Sequence, residues 1–152
     1  MPDTYRSAAS ILVLRPSPEG KGREPYQILL LHKPRKRDAW QLPQGGVEAG
    51  ETIGTAACRE LKEEAGVEDI TLFGESDRIY QYDFPPSFRR FRPDDVCGQK
   101  ISFVFALAPK DLQVSVDGKE VDRHLWVSLQ ELSLYIKRKE YLILIQIGRA
   151  HV

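Results

Sequence analysis

Glutamates crowd into the stretch "GGVEAGETIGTAACRELKEEAGV", which runs from Gly45 to Val67. Glu60, Glu63 and Glu64 sit close together, Glu68 lies just outside, and Glu51 precedes the group. Like charges at helical spacing repel by a few tenths of a kcal/mol per exposed pair. Either basic neighbours answer that repulsion or something positive binds there. On a helix from Thr52 to Ala65, turning about 100° per residue, the three carboxylates fall within an arc of roughly 100°. Ala57 and Leu61 lie beside that arc toward the core, while Thr55 and Lys62 point to solvent. The carboxylates therefore converge along the apolar edge instead of spreading over a wet face. Clustered oxygen donors suit a hard divalent cation such as Mg²⁺ or Mn²⁺. Arg59 can reach back to Glu51 and fix the glycine-containing loop against the helix. Three glutamates taken alone make a solvated acidic face, so the surrounding pattern has to decide.

The helix that carries them has clear signals. Thr52 can cap its N-terminus and Gly66 can end it. Before it, Ser7 to Arg15 and Tyr26 to Lys33 are rich in aliphatic residues and read as strands, joined by the loop Pro16 to Pro25. Pro43, Gly45 and Gly46 prevent helix in "QLPQGG". After it, Ile70 to Ser76 and Arg78 to Phe84 read as two strands, followed by the loop "PPSFRRFRPDDVCG" and a strand from Gln99 to Ala108. His124 to Ser128 is a short strand. Ser128 and Glu131 form a capping box that opens a helix near Leu129, and Lys137 to Ile147 continues as helix. Strands mixed with a few helices predict a layered α/β fold on a mixed sheet.

The 152 residues fit one domain spanning 1–152, with 41% hydrophobic residues for a core. Basic and acidic residues balance at 22 each, so no global charge draws the chain to nucleic acid or membrane. Cys58 and Cys97 have neither C-x-x-C nor metal-ligand spacing and read as reduced thiols. The apolar run Tyr141 to Ile147 falls far short of the roughly 20 residues that span a bilayer. The expectation is a cytoplasmic protein with no membrane partner.

The segment fits G-x5-E-x7-R-E-U-x-E-E-x-G-U, where U is a bulky aliphatic residue. The fixed positions are Gly45, Glu51, Arg59, Glu60, Leu61, Glu63, Glu64, Gly66 and Val67. This is the Nudix box, and the chain resembles the Nudix hydrolases. The resemblance implies an α/β/α sandwich around a mixed sheet and hydrolysis of a nucleoside diphosphate linked to another group, with divalent metal. It implies Glu60, Glu63 and Glu64 as metal ligands, with a backbone carbonyl from Gly46. Glu63 and Glu120 are candidates for the base that prepares the water, and Glu120 for a further ligand. Glu51 and Arg59 complete the catalytic set as a structural pair.

The flanks resemble the bacterial RNA pyrophosphohydrolases and the related asymmetric dinucleoside tetraphosphate hydrolases over nearly the whole chain. The features are Tyr5–Arg6 before the first strand, "WQLPQGG", "GQK" at Gly98 to Lys100, "VDRHLWVS" and the basic "IKRKEY". Carried over, Arg6, Gln44, Gln99, Lys100 and Lys137 become candidate substrate contacts, Tyr82 lines the site, and Lys33 and Arg35 flank its entrance. Where the RNA enzymes place an aromatic before the tail lysine, this chain has Ile136, with Tyr135 one residue earlier as the stacking candidate. Three basic clusters, "HKPRKR", "FRRFR" and "IKRKE", can meet phosphates. The implied substrate is a nucleotide polyphosphate or an RNA 5′ end. The RNA reading is favoured by Arg6 and the tail segment. Asymmetric cleavage of diadenosine tetraphosphate to ATP and AMP and a non-catalytic nucleotide- or RNA-binding domain are the alternatives. The apolar tail helix either packs on the domain's own sheet or forms a homodimer interface.

Overall fold

The structure, a computed structural model, describes residues 4–18, 25–34, 40–84 and 96–150, and for 147–150 the backbone alone. Arg35, the "FRRFR" cluster and most of the "GKGREP" loop lie outside the described residues. The strands are β1 (Thr4–Pro16), β2 (Tyr26–His32), β3 (Trp40–Gln41), β4 (Gln44–Gly46), β5 (Thr71–Asp83), β6 (Val96–Leu107) and β7 (Arg123–Val127). The helices are α1 (Ile53–Ala65), α2 (Leu132–Tyr135) and α3 (Lys139–Ala150), with a 3-10 turn at Leu129–Glu131.

The main path of the sheet runs β3-β2-β1-β6-β5, with β4 paired to β1 and β7 to β2. β1 and β6 are parallel and the other pairs antiparallel, so the sheet is mixed. Alternation along β1 divides the core in two. Ala9, Ile11 and Val13 face α1, packing with Ala56, Ala57, Leu61 and Ala65. Ala8, Leu12 and Leu14 face the other way, against Leu132, Ile136, Tyr141 and Ile145. Helices thus cover both faces, which is the expected α/β/α sandwich. Each large aliphatic side chain buried this way contributes roughly 1.5–3 kcal/mol.

α1 has the expected ends. Thr52 accepts a hydrogen bond from the Thr55 amide at 3.1 Å, and Thr55 Oγ1 accepts one from the Thr52 amide at 2.9 Å. Gly66 ends the helix at φ +64°, a left-handed conformation that suits a residue without Cβ.

Four local expectations change. The two strands expected over Ile70 to Phe84 form one, Thr71–Asp83, because shifts in register at Leu72/Gly74 and Glu75/Ile79 let β5 stay paired to β6 past Gly74. β6 begins at Val96, earlier than Gln99, since Asp83 pairs Gly98 and extends the ladder. The "QLPQGG" segment is pinned to the sheet edges as β3 and β4. The tail is not one helix: Ile136 is extended (φ −93°, ψ 113°) and buries its side chain, so the chain breaks between α2 and α3. α3 packs Tyr141 and Ile145 onto its own sheet and leaves Ile143 exposed. No helix among the described residues is long and apolar enough to cross a membrane.

Candidate active site

α1 presents its glutamates to different depths. Glu64 is buried, at 1% side-chain exposure, Glu60 is at 13%, and Glu63 is at 58%. The sequence placed them along the apolar edge of the helix, and they follow that edge from core to solvent. Burial pushes the Glu64 carboxyl up from its usual range, and Lys33 pulls against that shift. Burial also raises Glu60, opposed by Arg59.

Arg59 organises the outer part of the cluster. Its Nε and Nη2 donate to the two oxygens of Glu51 at 2.8 and 3.0 Å, a bidentate pair. Nη2 also donates to the Gly46 carbonyl at 2.8 Å, and Nη1 to Glu60 Oε1 at 2.9 Å. Glu63 stands farther off, 3.4 Å from Nη1. The Glu51 contact holds the guanidinium more firmly protonated and lowers the Glu51 carboxyl. The expected clamp between loop and helix is therefore present, and the Gly46 carbonyl is engaged by it.

The glycines of the loop make this approach possible. A Cβ on Gly45 would overlap the Glu60 carboxylate, and one on Gly46 would overlap the Arg6 guanidinium. On the inner side, the Gln44 amide donates to Glu64 Oε1 at 3.1 Å. Lys33 Nζ lies 2.9 Å from Glu64 Oε2 as an ion pair. Lys33 follows β2, where Leu29 and Leu31 face α1, and the same alternation sends its side chain to the glutamates. Lys33 thus lies within the cluster, deeper than an entrance position.

Glu120 is exposed on the turn before β7. Asp117 holds that turn by accepting from the Lys119 and Val121 amides, both at 3.0 Å. The Asp122 amide donates to the His32 carbonyl at 3.1 Å, which sets the turn beside the end of β2 that leads into Lys33.

The other substrate candidates divide between the two faces of the sheet. Arg6, Gln99 and Tyr82 are register neighbours across β1, β6 and β5. Tyr82 donates to Gln99 Oε1 at 2.7 Å. Lys100 points to the opposite face, its ammonium 5.6 Å from the centre of the Tyr5 ring, so it does not share Gln99's surroundings. Tyr135 meets Trp40 edge-on at 5.6 Å, and Trp40 meets His32 at 4.9 Å. Lys137 is exposed in the break between α2 and α3. Two neighbours of these residues lie in stretches the sequence singled out but were not named individually. Arg138 lies 5.3 Å from the centre of the Tyr82 ring, and Arg123 lies 5.5 Å from that of Trp40 while contacting His32 at 2.9 Å. Their positions depend on pairings far apart in the chain, so spacing carried no signal.

The donor set fits a hard divalent ion in kind. Its members are carboxylates and carbonyls, and the Glu64 Oε2 and Gln44 Oε1 atoms are buried without a well-formed hydrogen bond. In arrangement the set is incomplete, since no three acidic, His or Cys side chains among the described residues stand as a ready ligand group. Arg59 and Lys33 hold the carboxylates instead.

Comparison with known proteins agrees with this geometry. The NUDIX domain family matches residues 4–145. An RNA pyrophosphohydrolase of Sulfurovum sp. is 31% identical over 145 residues, covering 91% of this chain and 88% of that protein. One from Halorhodospira halophila is 40% identical over 113 residues, covering 68% and 62%. An Ap4A hydrolase of C. elegans superposes with a TM-score of 0.74 at 22% identity, covering 96% of each chain. The E. coli dihydroneopterin triphosphate pyrophosphohydrolase superposes at 0.71 and 23%, covering 97% of this chain and 99% of that one. At such identities the superpositions speak for the fold alone. With the box residues clamped as described and the family match spanning nearly the whole chain, this protein belongs to the Nudix hydrolases.

Proposed function

We propose that the protein removes pyrophosphate from 5′-triphosphorylated RNA and leaves a 5′ monophosphate, using Mg²⁺ or Mn²⁺. The observation that carries this reading is the graded carboxylate row on α1 beside the glycine loop whose other side meets Arg6. The RNA pyrophosphohydrolases among its relatives support the choice of substrate.

Glu60, Glu63 and Glu64 hold the ion, with the Gly46 carbonyl beside them. A divalent ion bound there neutralises phosphate charge and acidifies water. Gln44 fixes Glu64 through its amide, and Arg59 fixes Glu60 and the loop. Water adds to a phosphorus of the anhydride, the P–O bond to the bridging oxygen breaks, and pyrophosphate departs. The water's proton passes to a carboxylate oxygen of Glu63, the most exposed of the three, or of Glu120. Glu51 and Arg59 are positioning residues in this scheme. Arg6, Tyr82, Gln99 and Arg138 form the surface on the α3 face that receives the nucleotide. Tyr135 and Trp40 offer rings to a base, for which stacking is worth about 1–3 kcal/mol. Lys137 neutralises phosphate from the exposed break, and Arg35, which lies outside the described residues, is carried over as a second phosphate contact.

The test is product analysis with Mg²⁺ on 5′-triphosphorylated short RNA and diadenosine tetraphosphate in separate reactions. Monophosphorylated RNA and pyrophosphate formed much faster support the proposal. Faster formation of ATP and AMP assigns the chain to dinucleotide cleavage. No cleavage with Mg²⁺ or Mn²⁺ points to the non-catalytic alternative.

A further inference from the structure

The two cations within the glutamate row are held in different ways. Arg59 is fixed by Glu51 through two hydrogen bonds, by the Gly46 carbonyl and by Glu60. Moving it would open the loop. Among the described residues, Lys33 has one ion pair, with Glu64 at 2.9 Å, made at the end of a flexible stem. Glu64 is almost fully buried, and a buried carboxylate needs a positive partner. Its other oxygen is already occupied by the Gln44 amide. Oε2 therefore depends on Lys33, yet lacks a well-directed hydrogen bond from it. Lys33 also lies close enough to Glu60 to favour its charged form.

An ion that takes Oε2 as a ligand meets the ammonium as a like charge across a single oxygen atom. Both cannot be bound there without a large repulsion. We propose that Lys33 is a placeholder cation: it stands on Glu64 in the metal-free protein and leaves when the divalent ion binds. A cation then stands against Glu64 in both states, and metal affinity is lowered by the work of displacing the ammonium. This inference rests on the assignment of Glu64 as a metal ligand.

Lys33→Met keeps the aliphatic stem and removes the charge. Mn²⁺ binding by calorimetry on metal-stripped protein should tighten about tenfold relative to wild type, equivalent to about 1.4 kcal/mol. The thermal midpoint in chelator should fall, and saturating Mn²⁺ should restore more of it than it adds to wild type. In the wild-type chain, reductive methylation of Lys33, read by peptide mass, should be slow in chelator and accelerate with Mg²⁺. This second measurement decides the matter if the variant does not fold. Unchanged or weaker Mn²⁺ binding by Lys33→Met, or a methylation rate indifferent to Mg²⁺, overturns the placeholder role. A wild-type chain whose Mn²⁺ affinity is untouched by Glu64→Gln overturns the metal-ligand assignment itself, and this inference with it.

Discussion

The face under α1 and the face under α3 build their sites by opposite routes. On the α1 side, Gly45, Gly46, Glu51, Arg59, Glu60, Glu63 and Glu64 come from one loop and the helix after it, and only Lys33 arrives from elsewhere. On the α3 side, Arg6, Trp40, Tyr82, Gln99, Tyr135 and Arg138 come from β1, β3, β5, β6, α2 and the break that follows. The first arrangement is local and tied together by Arg59, which suits the proposed chemistry common to every substrate. The second is assembled across the sheet, and of these residues only Arg6 abuts the glycine loop of the box among the described contacts. Under the proposed assignment, the difference makes catalysis and choice of substrate separable, and the variants below test that.

The largest effects should follow from breaking the local side. Glu63→Gln is expected to lower kcat about a hundredfold or more with an unchanged melting curve, because Glu63 is exposed and supports little of the fold. Gly45→Ala comes next. The new methyl group displaces the Glu60 carboxylate from its place beside the loop, and misplacement of about 1 Å can cost roughly a hundredfold in rate. The end of a flexible side chain gives way easily, so the folded state should persist, as circular dichroism would report.

Variants on the assembled side should act on KM and on substrate preference. Arg6→Ala is expected to raise KM roughly tenfold or more, the usual worth of a charged hydrogen bond, with kcat nearly kept. Tyr135→Ala should weaken RNA turnover and spare a short triphosphate lacking a second base. Tyr82→Phe removes the hydroxyl that bonds Gln99 and should change kcat/KM less than about tenfold.

The smallest effect is on stability. Burial raises the Glu64 carboxyl, so the metal-free folded protein holds that proton more tightly than the unfolded chain. Its burial cost is present at neutral pH and fades as pH falls through the raised value. Denaturation in chelator should therefore show wild type gaining on Glu64→Gln as pH is lowered toward the ordinary carboxylate range. Glu51 has the opposite sign: its carboxyl is lowered by Arg59, so its stabilisation is lost only on further acidification.

The same contrast explains what the sequence made legible. The ends of α1, the Glu51–Arg59 pair and the convergence of the glutamates along the apolar edge follow from caps and helical period, which are local rules, whereas their graded depth appears only once α1 is docked. The layered fold followed from the alternation of strands and helices. The Lys33–Glu64 pair was hidden because it needs both the parity of β2 and the docking of α1. Arg138 over Tyr82 was hidden because it requires the break at Ile136, and a buried residue forces that break where local pattern read continuous helix. β5 read as two strands because bulges that keep a long strand paired leave no mark in composition.

Separability is tested most directly by measuring kcat/KM for 5′-triphosphorylated RNA and for diadenosine tetraphosphate in wild type, Glu63→Gln and Arg6→Ala, and comparing the ratio of the two substrates. The account predicts that Glu63→Gln lowers both by the same factor and leaves the ratio near wild type, while Arg6→Ala shifts it. A ratio that moves with Glu63→Gln and stays fixed with Arg6→Ala would contradict it.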